Sequence, residues 1–263
     1  MILSLDNEDY NFTAGITAYE NLQLDNNDRY QYVLPHYDFS QNLFSNNTGS
    51  LNFSSNGKNS LSDTNNLRSS INNTINYTSD DLYSKSGFLN NFGIYFKNVN
   101  VTGKKDPKYK SNIQSELLNI YEFNSSFPLI KFDKNYSNYI TPKISFRINP
   151  SDMKNHSTDD RLITTDNIFD IGRLGISDSY ESGKSLTLGV DLKKENIVDI
   201  DKYFEIKFAS VLRDKDEDKI PKSSSLNRTS SNLFGSIENS FSEFFSLNYD
   251  FAIDNDFNKF EHN

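Results

Sequence analysis

From Ile140 to Asn149 every second residue is apolar. Ile140, Pro142, Ile144, Phe146 and Ile148 share one parity, while Thr141, Lys143, Ser145, Arg147 and Asn149 share the other. Leu186, Leu188, Val190 and Leu192 repeat the pattern against Ser185, Thr187, Gly189 and Asp191. A strand turns successive side chains to opposite faces, so each segment predicts a strand with one greasy and one wet face. The greasy face must meet either a protein core or lipid.

Similar runs recur from end to end. Phe245, Leu247, Tyr249, Phe251 and Ile253 alternate with Ser246, Asn248, Asp250, Ala252 and Asp254. Phe204, Ile206, Phe208 and Leu212 oppose Glu205, Lys207 and Arg213; Leu67, Ile71, Ile75 and Tyr77 oppose Arg68, Ser70, Asn72, Thr74 and Asn76. Weaker runs cover Phe12 to Leu24, Tyr30 to Phe44, Gly49 to Ser60, Gly87 to Val101, Ile113 to Ile130 and Asn232 to Phe241. The pattern predicts about eleven strands, most of them near ten residues or longer. Strands of globular proteins usually run about five or six residues. Ten residues at about 3.3 Å each, tilted by roughly 40°, rise about 25 Å, the height of the apolar band on a membrane barrel. Strand length therefore favours lipid.

Helical periodicity is nearly absent. In Ser111 to Tyr121, Ile113, Leu117, Ile120 and Tyr121 could share a helical face, but alternation continues through Phe123, Phe127 and Leu129, and the segment reads as a strand. Short turns, such as that near Ser242, alternate with longer excursions from Pro150 to Gly183 and from Asp214 to Arg228. Short connections on one side and long loops on the other describe an outer-membrane barrel. No linker divides the 263 residues.

Composition agrees. Only 35% of residues are hydrophobic, yet 14% are aromatic, with 21 Phe and 15 Tyr. Disordered chains are poor in aromatics, whereas half-polar strands combine the two values. Asn is roughly one residue in seven, well above ordinary usage, and gathers between the runs, where turns tolerate it. A net charge of -9 argues against a nucleic-acid partner. The absence of Cys excludes disulfides, thiolate metal sites and a Cys nucleophile. No apolar run approaches the roughly 18 residues of a membrane helix. The start, MILSLDNEDYNF, lacks signal-peptide features, and a missing native N-terminus is the favoured reading.

Candidate chemistry is sparse. His36, His156 and His262 stand at no metal-ligand spacing. Asp214, Asp216 and Asp218 imitate the start of a calcium loop, but Lys219 replaces its Gly and Ser225 its bidentate Glu, leaving a solvated loop of mixed charge. No phosphate-binding Gly loop or nucleophile elbow exists. Gly172, Gly175 and Gly183 read as turn glycines. Lys143 and Arg147 share a wet face. In a soluble sandwich they would be solvent-facing charges. In a barrel they would line the lumen, where cations could meet phosphorylated headgroups.

The run ITPKISFRINPSDM, then TDNIFDIGRLGISDSYESGKSLTLGVDL, resembles the membrane-barrel part of the lipopolysaccharide-assembly family LptD, formerly the organic-solvent-tolerance proteins. The resemblance rests on Thr141, Pro142 and Lys143, then Asp166, Asn167, Ile168, Phe169, Arg173, Gly175 and Asp178, then the alternating strand from Gly183. Tyr32 to Ser40, YVLPHYDFS, resembles a further strand of that family, and the likeness extends roughly from Tyr30 to Phe257. The family's Asn before the loop Arg is here Gly172, and its Asp-Arg pair reads Asp178-Ser179.

The resemblance implies an all-β, antiparallel, up-and-down transmembrane barrel segment. Residues 1–263 would form one partial barrel domain, an open curved sheet by itself, without the family's periplasmic jelly-roll domain and barrel ends. It implies a non-enzymatic role: inserting lipopolysaccharide into the outer leaflet of the outer membrane. It requires no cofactor. Lipid A would pass through a lateral opening and the sugar chain through the lumen. Implied partners are lipopolysaccharide, an LptE-like plug lipoprotein, a periplasmic bridge of related domains, and outer-membrane lipid. Polar side chains such as Asn248 and Asp250 would face the lumen; Leu247, Tyr249 and Phe251 would face lipid. Other readings are a porin or hydrophobic-compound channel, and a soluble β-sandwich or adhesin module.

Overall fold

The computed structural model describes residues 1–23, 29–63, 65–176, 178–256 and 258–262; the side chains of 261 and 262 are outside the description. Leu24, Phe257 and the His262 side chain, all invoked above, therefore lie outside the described residues.

The chain is all-β and antiparallel. Its strands are β1 (Ile2–Asp6), β2 (Tyr10–Glu20), β3 (Tyr30–Asn46), β4 (Gly49–Ser62), β5 (Asn66–Ser79), β6 (Leu82–Tyr83), β7 (Leu89–Lys104), β8 (Gln114–Ser126), β9 (Leu129–Phe132), β10 (Tyr136–Asn149), β11 (Gly183–Asn196), β12 (Tyr203–Arg213), β13 (Leu233–Ser242), β14 (Phe245–Ile253) and β15 (Phe260–His262). They follow one another in sequence order, an up-and-down path from β1 to β15, with β6 paired beside β7 and β9 beside β10. Among the described residues no pairing joins the two ends, so the sheet is not closed.

Among the described residues eleven strands have nine residues or more, and each takes up one of the alternating runs. The other four are short segments that alternation did not separate. The run from Ile113 to Ile130 becomes two strands. It breaks at Phe127, whose N–H donates to the Pro142 carbonyl at 3.0 Å, and at Pro128, which has no N–H to give. The segment that could have been helical is part of strand β8 from Gln114 on, with residues 111–113 leading into it.

The chain divides into two compact units. The first comprises residues 1–80 and 93–119, the second 81–92 and 120–263. In the first, β4 and β5 pair without interruption from Gly49/Ser79 to Ser62/Asn66. Ile71, Ile75 and Phe96 are exposed on one face, while Asn72, Lys97, Val99 and Val101 are buried on the other. A side-chain hydrogen-bond relay crosses the exposed face from Tyr37 to Ser55 (3.1 Å), Asn73 (2.8 Å), Asn98 (3.4 Å) and Ser115 (3.3 Å). After β7, Asp106 receives the fork of Arg68 at 2.7 and 3.1 Å and caps the Lys108 and Tyr109 N–H groups. Burial alone would raise the Asp106 carboxyl, but these hydrogen bonds and the Arg68 charge hold it below its usual range.

The second unit is inside-out relative to a soluble sheet. On β10, polar Ser145, Arg147 and Asn149 are 1%, 3% and 1% exposed, whereas Ile140, Ile144 and Phe146 are 45%, 38% and 41% exposed. On β11, Ser185 and Thr187 are buried and Leu188 is exposed. On β12, Val211 is buried while Phe204 and Leu212 are exposed. Directly paired residues share a face, so Phe146–Leu186–Leu212 and Pro142–Val190–Phe208 form rows of one apolar surface. Phe251 has the parity of Leu247 and Tyr249 but, unlike them, is buried. Its ring stacks on Tyr249 and Phe260, with centroids 5.9 and 5.2 Å away.

The polar face is covered by the connections themselves. Residues 150–182, expected as a polar loop, fold across it together with residues 214–232. Met153, Ile163, Ile168, Leu174 and Ile176 from the first connection meet Ile220 and Leu226 from the second. They pack on Ala209, Val211, Phe234 and Ala252, small or apolar exceptions on the otherwise polar parity. Burying an Ile or Leu this completely contributes about 2 kcal/mol. Asp214, Lys215, Asp216 and Asp218 are exposed as expected, but the chain then turns inward at Ile220. The segment 214–232 is therefore only in part a solvated loop.

Candidate functional site

Of the predicted loop residues, Arg173 alone enters a buried ionic cluster. Arg173 uses all five of its N–H donors: two go to Glu181 (2.7 and 2.6 Å), and the others to Thr187 Oγ1 (2.9 Å), Ser185 Oγ (3.1 Å) and the Ile168 carbonyl (3.2 Å). Arg213, at the end of β12, also pairs with Glu181 and donates to the Ser182 carbonyl. Arg147, from β10, donates to Glu122 of β8 at 3.1 Å and to the Asp170 carbonyl at 2.7 Å, and lies 3.9 Å from Glu181. Asn149 donates to the Glu181 carbonyl at 2.9 Å. Strands β8, β10, β11 and β12 are thereby fastened to one loop carboxylate. Burial alone would raise the Glu181 carboxyl; the charge and hydrogen bonds of Arg173, then the charges of Arg213 and Arg147, hold it at about 2.

The remaining signature residues lock the same connection. Asn167 accepts the Thr164 N–H at 2.9 Å and donates to the Leu162 carbonyl at 3.1 Å, closing a turn. Phe169 lies over Gly189 of β11, where a Cβ would stand 2.7 Å from the ring. Asp178 is 3.3 Å from His156 Nε2 and 3.7 Å from Lys154. His156 is buried and hydrogen-bonded through Nδ1 to Asp159 at 2.9 Å. Gly175 and Gly183 have φ of +61° and +87°, which accounts for glycine at both turns. A Cβ at Gly172 would meet nothing within 4 Å, so the departure at that position is sterically free.

Beyond the cluster the polar face carries a ladder of opposite charges. Lys143 pairs with Asp191 and stands 5.8 Å from the Phe169 ring centre. Lys207 lies 3.2 Å from Glu205 and 3.3 Å from Asp166. Lys193 pairs with Glu195, and Tyr203 donates to Glu238 at 2.7 Å. An open recess of about 440 Å³ is bordered by Asn91, Asn124, Lys143, Asp166, Phe169 and Lys207. Each cation here has a carboxylate neighbour, and with three lysines against five carboxylates this part of the face is net acidic.

The two cations considered for a wet face thus differ. Lys143 is half-exposed at the recess, whereas Arg147 is sealed beneath the connection. Glu122, Glu181 and Arg213 complete the cluster and had no motif to announce them. Arg213 shows only as a charge ending β12, Glu122 as a charge inside β8, and Glu181 stands in the connection with no strand parity at all. His36 stands apart in β3, 3.2 Å from Thr17. Among the described residues no group of three or more His, Cys, Asp or Glu could hold a metal ion. No protein-family model matches the chain, and no curated protein is significantly similar to it.

Proposed function

We propose that this chain forms part of the wall of an outer-membrane β-barrel that delivers lipopolysaccharide to the outer leaflet. The observation that carries the membrane reading is the exposed apolar face of β10–β12, set against a buried polar one. A soluble sandwich packs its apolar faces together; here Ile140, Ile144, Phe146, Leu188 and Leu212 remain uncovered. Lipid satisfies that surface, and the antiparallel ladder satisfies the backbone groups that lipid cannot. The resemblance at Asp166–Asp178 and Gly183 supports the choice of cargo.

On this reading, residues 150–182 and 214–232 seal the lumen side of β10–β14 near one rim. The charge ladder from Lys143 to Glu195 lines the remaining polar path. The chain acts by containment and guidance, without bond chemistry. An LptE-like lipoprotein and a periplasmic bridge would be its partners.

The test is site-specific photocrosslinking in cells that assemble the barrel. A photoreactive residue replacing Lys193 on the polar face should capture lipopolysaccharide. One replacing Ile144 on the apolar face should capture bulk phospholipid. Absence of any lipopolysaccharide adduct from polar positions, with phospholipid adducts retained at Ile144, would leave a barrel but remove this cargo.

A further inference from the structure

The recess on the polar face lies wholly within the second unit. Register sets its floor. Ser126, Lys143 and Gly189 pair in one row, and Asp191 and Lys207 in a neighbouring one. Gly189 leaves room for Phe169, whose ring approaches the strand by its outer edge. Lys143 Nζ stands over a face of that ring, 5.8 Å from its centre. Towards β7 the wall is a run of amides: Asn124 donates to Asn91 at 3.0 Å, and Asn91 donates to Asp81 at 3.0 Å. Leu89 and Phe169 supply the apolar part of the lining.

Charge limits what such a recess can hold. Among the described lining residues Asp81, Asp166 and Asp191 outnumber Lys143 and Lys207, which leaves one net negative charge. Both lysines are engaged: Lys143 pairs with Asp191, and Lys207 is shared between Asp166 and Glu205. A phosphate would meet like charge and would have to break those pairs. An acyl chain would cover the amides and charges without hydrogen-bonding them. A pyranose meets both demands. Its hydroxyls give and accept hydrogen bonds, and its C–H face suits an aromatic ring. The volume, about 440 Å³, is that of a small-ligand site.

We propose that this recess binds a neutral, unphosphorylated pyranose, with Phe169 as its stacking platform and Asp81, Asn91 and Asp166 as hydrogen-bond partners. For its biological ligand the proposal rests on the lipopolysaccharide reading, which it narrows: neutral sugars of the cargo rest against this wall, and its phosphorylated part does not.

The test uses the full chain folded in a detergent without a sugar headgroup. Saturation-transfer NMR compares methyl β-glucoside and methyl β-galactoside with the 6-phosphates of the same sugars. At least one neutral glycoside should receive saturation on its ring C–H protons, and its phosphate should bind roughly tenfold more weakly or not at all. Phe169→Leu still fills the space over Gly189 and should weaken binding about three- to tenfold. The Asp166 side chain is 71% exposed, so Asp166→Lys should fold. That change makes the lining net positive and should erase or reverse the discrimination against phosphate. Lysine amide, a cation without hydroxyls, should not displace the glycoside. Lack of transfer to both neutral glycosides, unchanged discrimination in Asp166→Lys, or displacement by lysine amide would each overturn the proposal. So would undiminished binding in Phe169→Leu; if that variant does not fold, Asp166→Lys decides. The outcome is separable from the cargo. Glycoside binding without a lipopolysaccharide adduct at Lys193 would keep the recess and remove the cargo, and the reverse would keep the cargo and overturn the recess.

Discussion

Replacing Glu181 by Gln should be among the most damaging single changes in the second unit. The carboxylate receives Arg173 through two bonds, pairs with Arg213 and lies near Arg147. Its pKa falls from 4.5 to about 2, which corresponds to about 3 kcal/mol of preferential stabilisation of the charged form. The side chain is fully buried, so solvent screening does not reduce this appreciably. Gln keeps the shape but leaves three buried guanidiniums against Glu122 alone. Breaking a buried pair in this way costs about 3–5 kcal/mol. Chemical unfolding of wild type and variant in the same detergent, followed by circular dichroism at neutral pH, measures the loss. The pH dependence supplies an independent check. The folded-state pKa lies below the unfolded one, so the contribution is complete above about pH 4.5 and disappears as pH falls through about 2. Wild type should lose stability relative to Glu181→Gln across that window. A neutral-pH difference under about 1 kcal/mol, or parallel curves between pH 4.5 and 2, would refute the reasoning.

Three further outcomes follow from the packing. Ile168→Ala opens a cavity between the connections and the sheet and should cost about 2–5 kcal/mol; Ile144→Ala, on the exposed face, opens no cavity and should cost at most the lost lipid contact of three carbons, about 2 kcal/mol. Both are read from unfolding midpoints. Gly189→Val drives a side chain into the Phe169 ring and towards the Phe208 carbonyl, 3.2 Å from a Cβ; overpacking of about 1–3 kcal/mol should speed trypsin cleavage at Arg161 roughly tenfold. Ile144→Lys should cost about 2–4 kcal/mol in a bilayer-reconstituted barrel if the position lies near mid-membrane; in a lipid-free fold it would be almost neutral.

The strands were legible because alternation survives one residue at a time. Ile140 to Ile148 and Leu186 to Leu192 needed only a period of two, and their partners followed from adjacency in sequence. The folded connections were not. Met153, Ile163, Ile168, Leu174 and Ile176 have no period and stand among Asp, Ser and Thr, so they looked like a solvated loop. Their docking patch did leave a trace: Ala209, Val211, Phe234 and Ala252 are apolar residues at the polar parity. Read together, those exceptions mark where something must cover the wet face. The signature residues were recognisable as a group, yet their joint role depends on Glu181, which is eight positions beyond Arg173 and outside any local pattern. Arg213 was visible only as a charge ending a strand. Register gave the rest: Arg147 faces Glu122 and Ser185 faces Arg213 because the ladders pair them.

The central claim is that the apolar face of β10 meets lipid while the polar face meets the folded connections. Nitroxide labels placed singly from Ile140 to Asn149 in the bilayer-reconstituted protein test it directly, by comparing relaxation by oxygen with relaxation by a water-soluble nickel complex. Labels at Ile140, Ile144 and Phe146 should be rich in oxygen and poor in nickel, and labels at Ser145 and Arg147 should be shielded from both. Nickel access at Ile144 and Phe146 matching that of an exposed loop, or no two-residue period at all, would contradict the account.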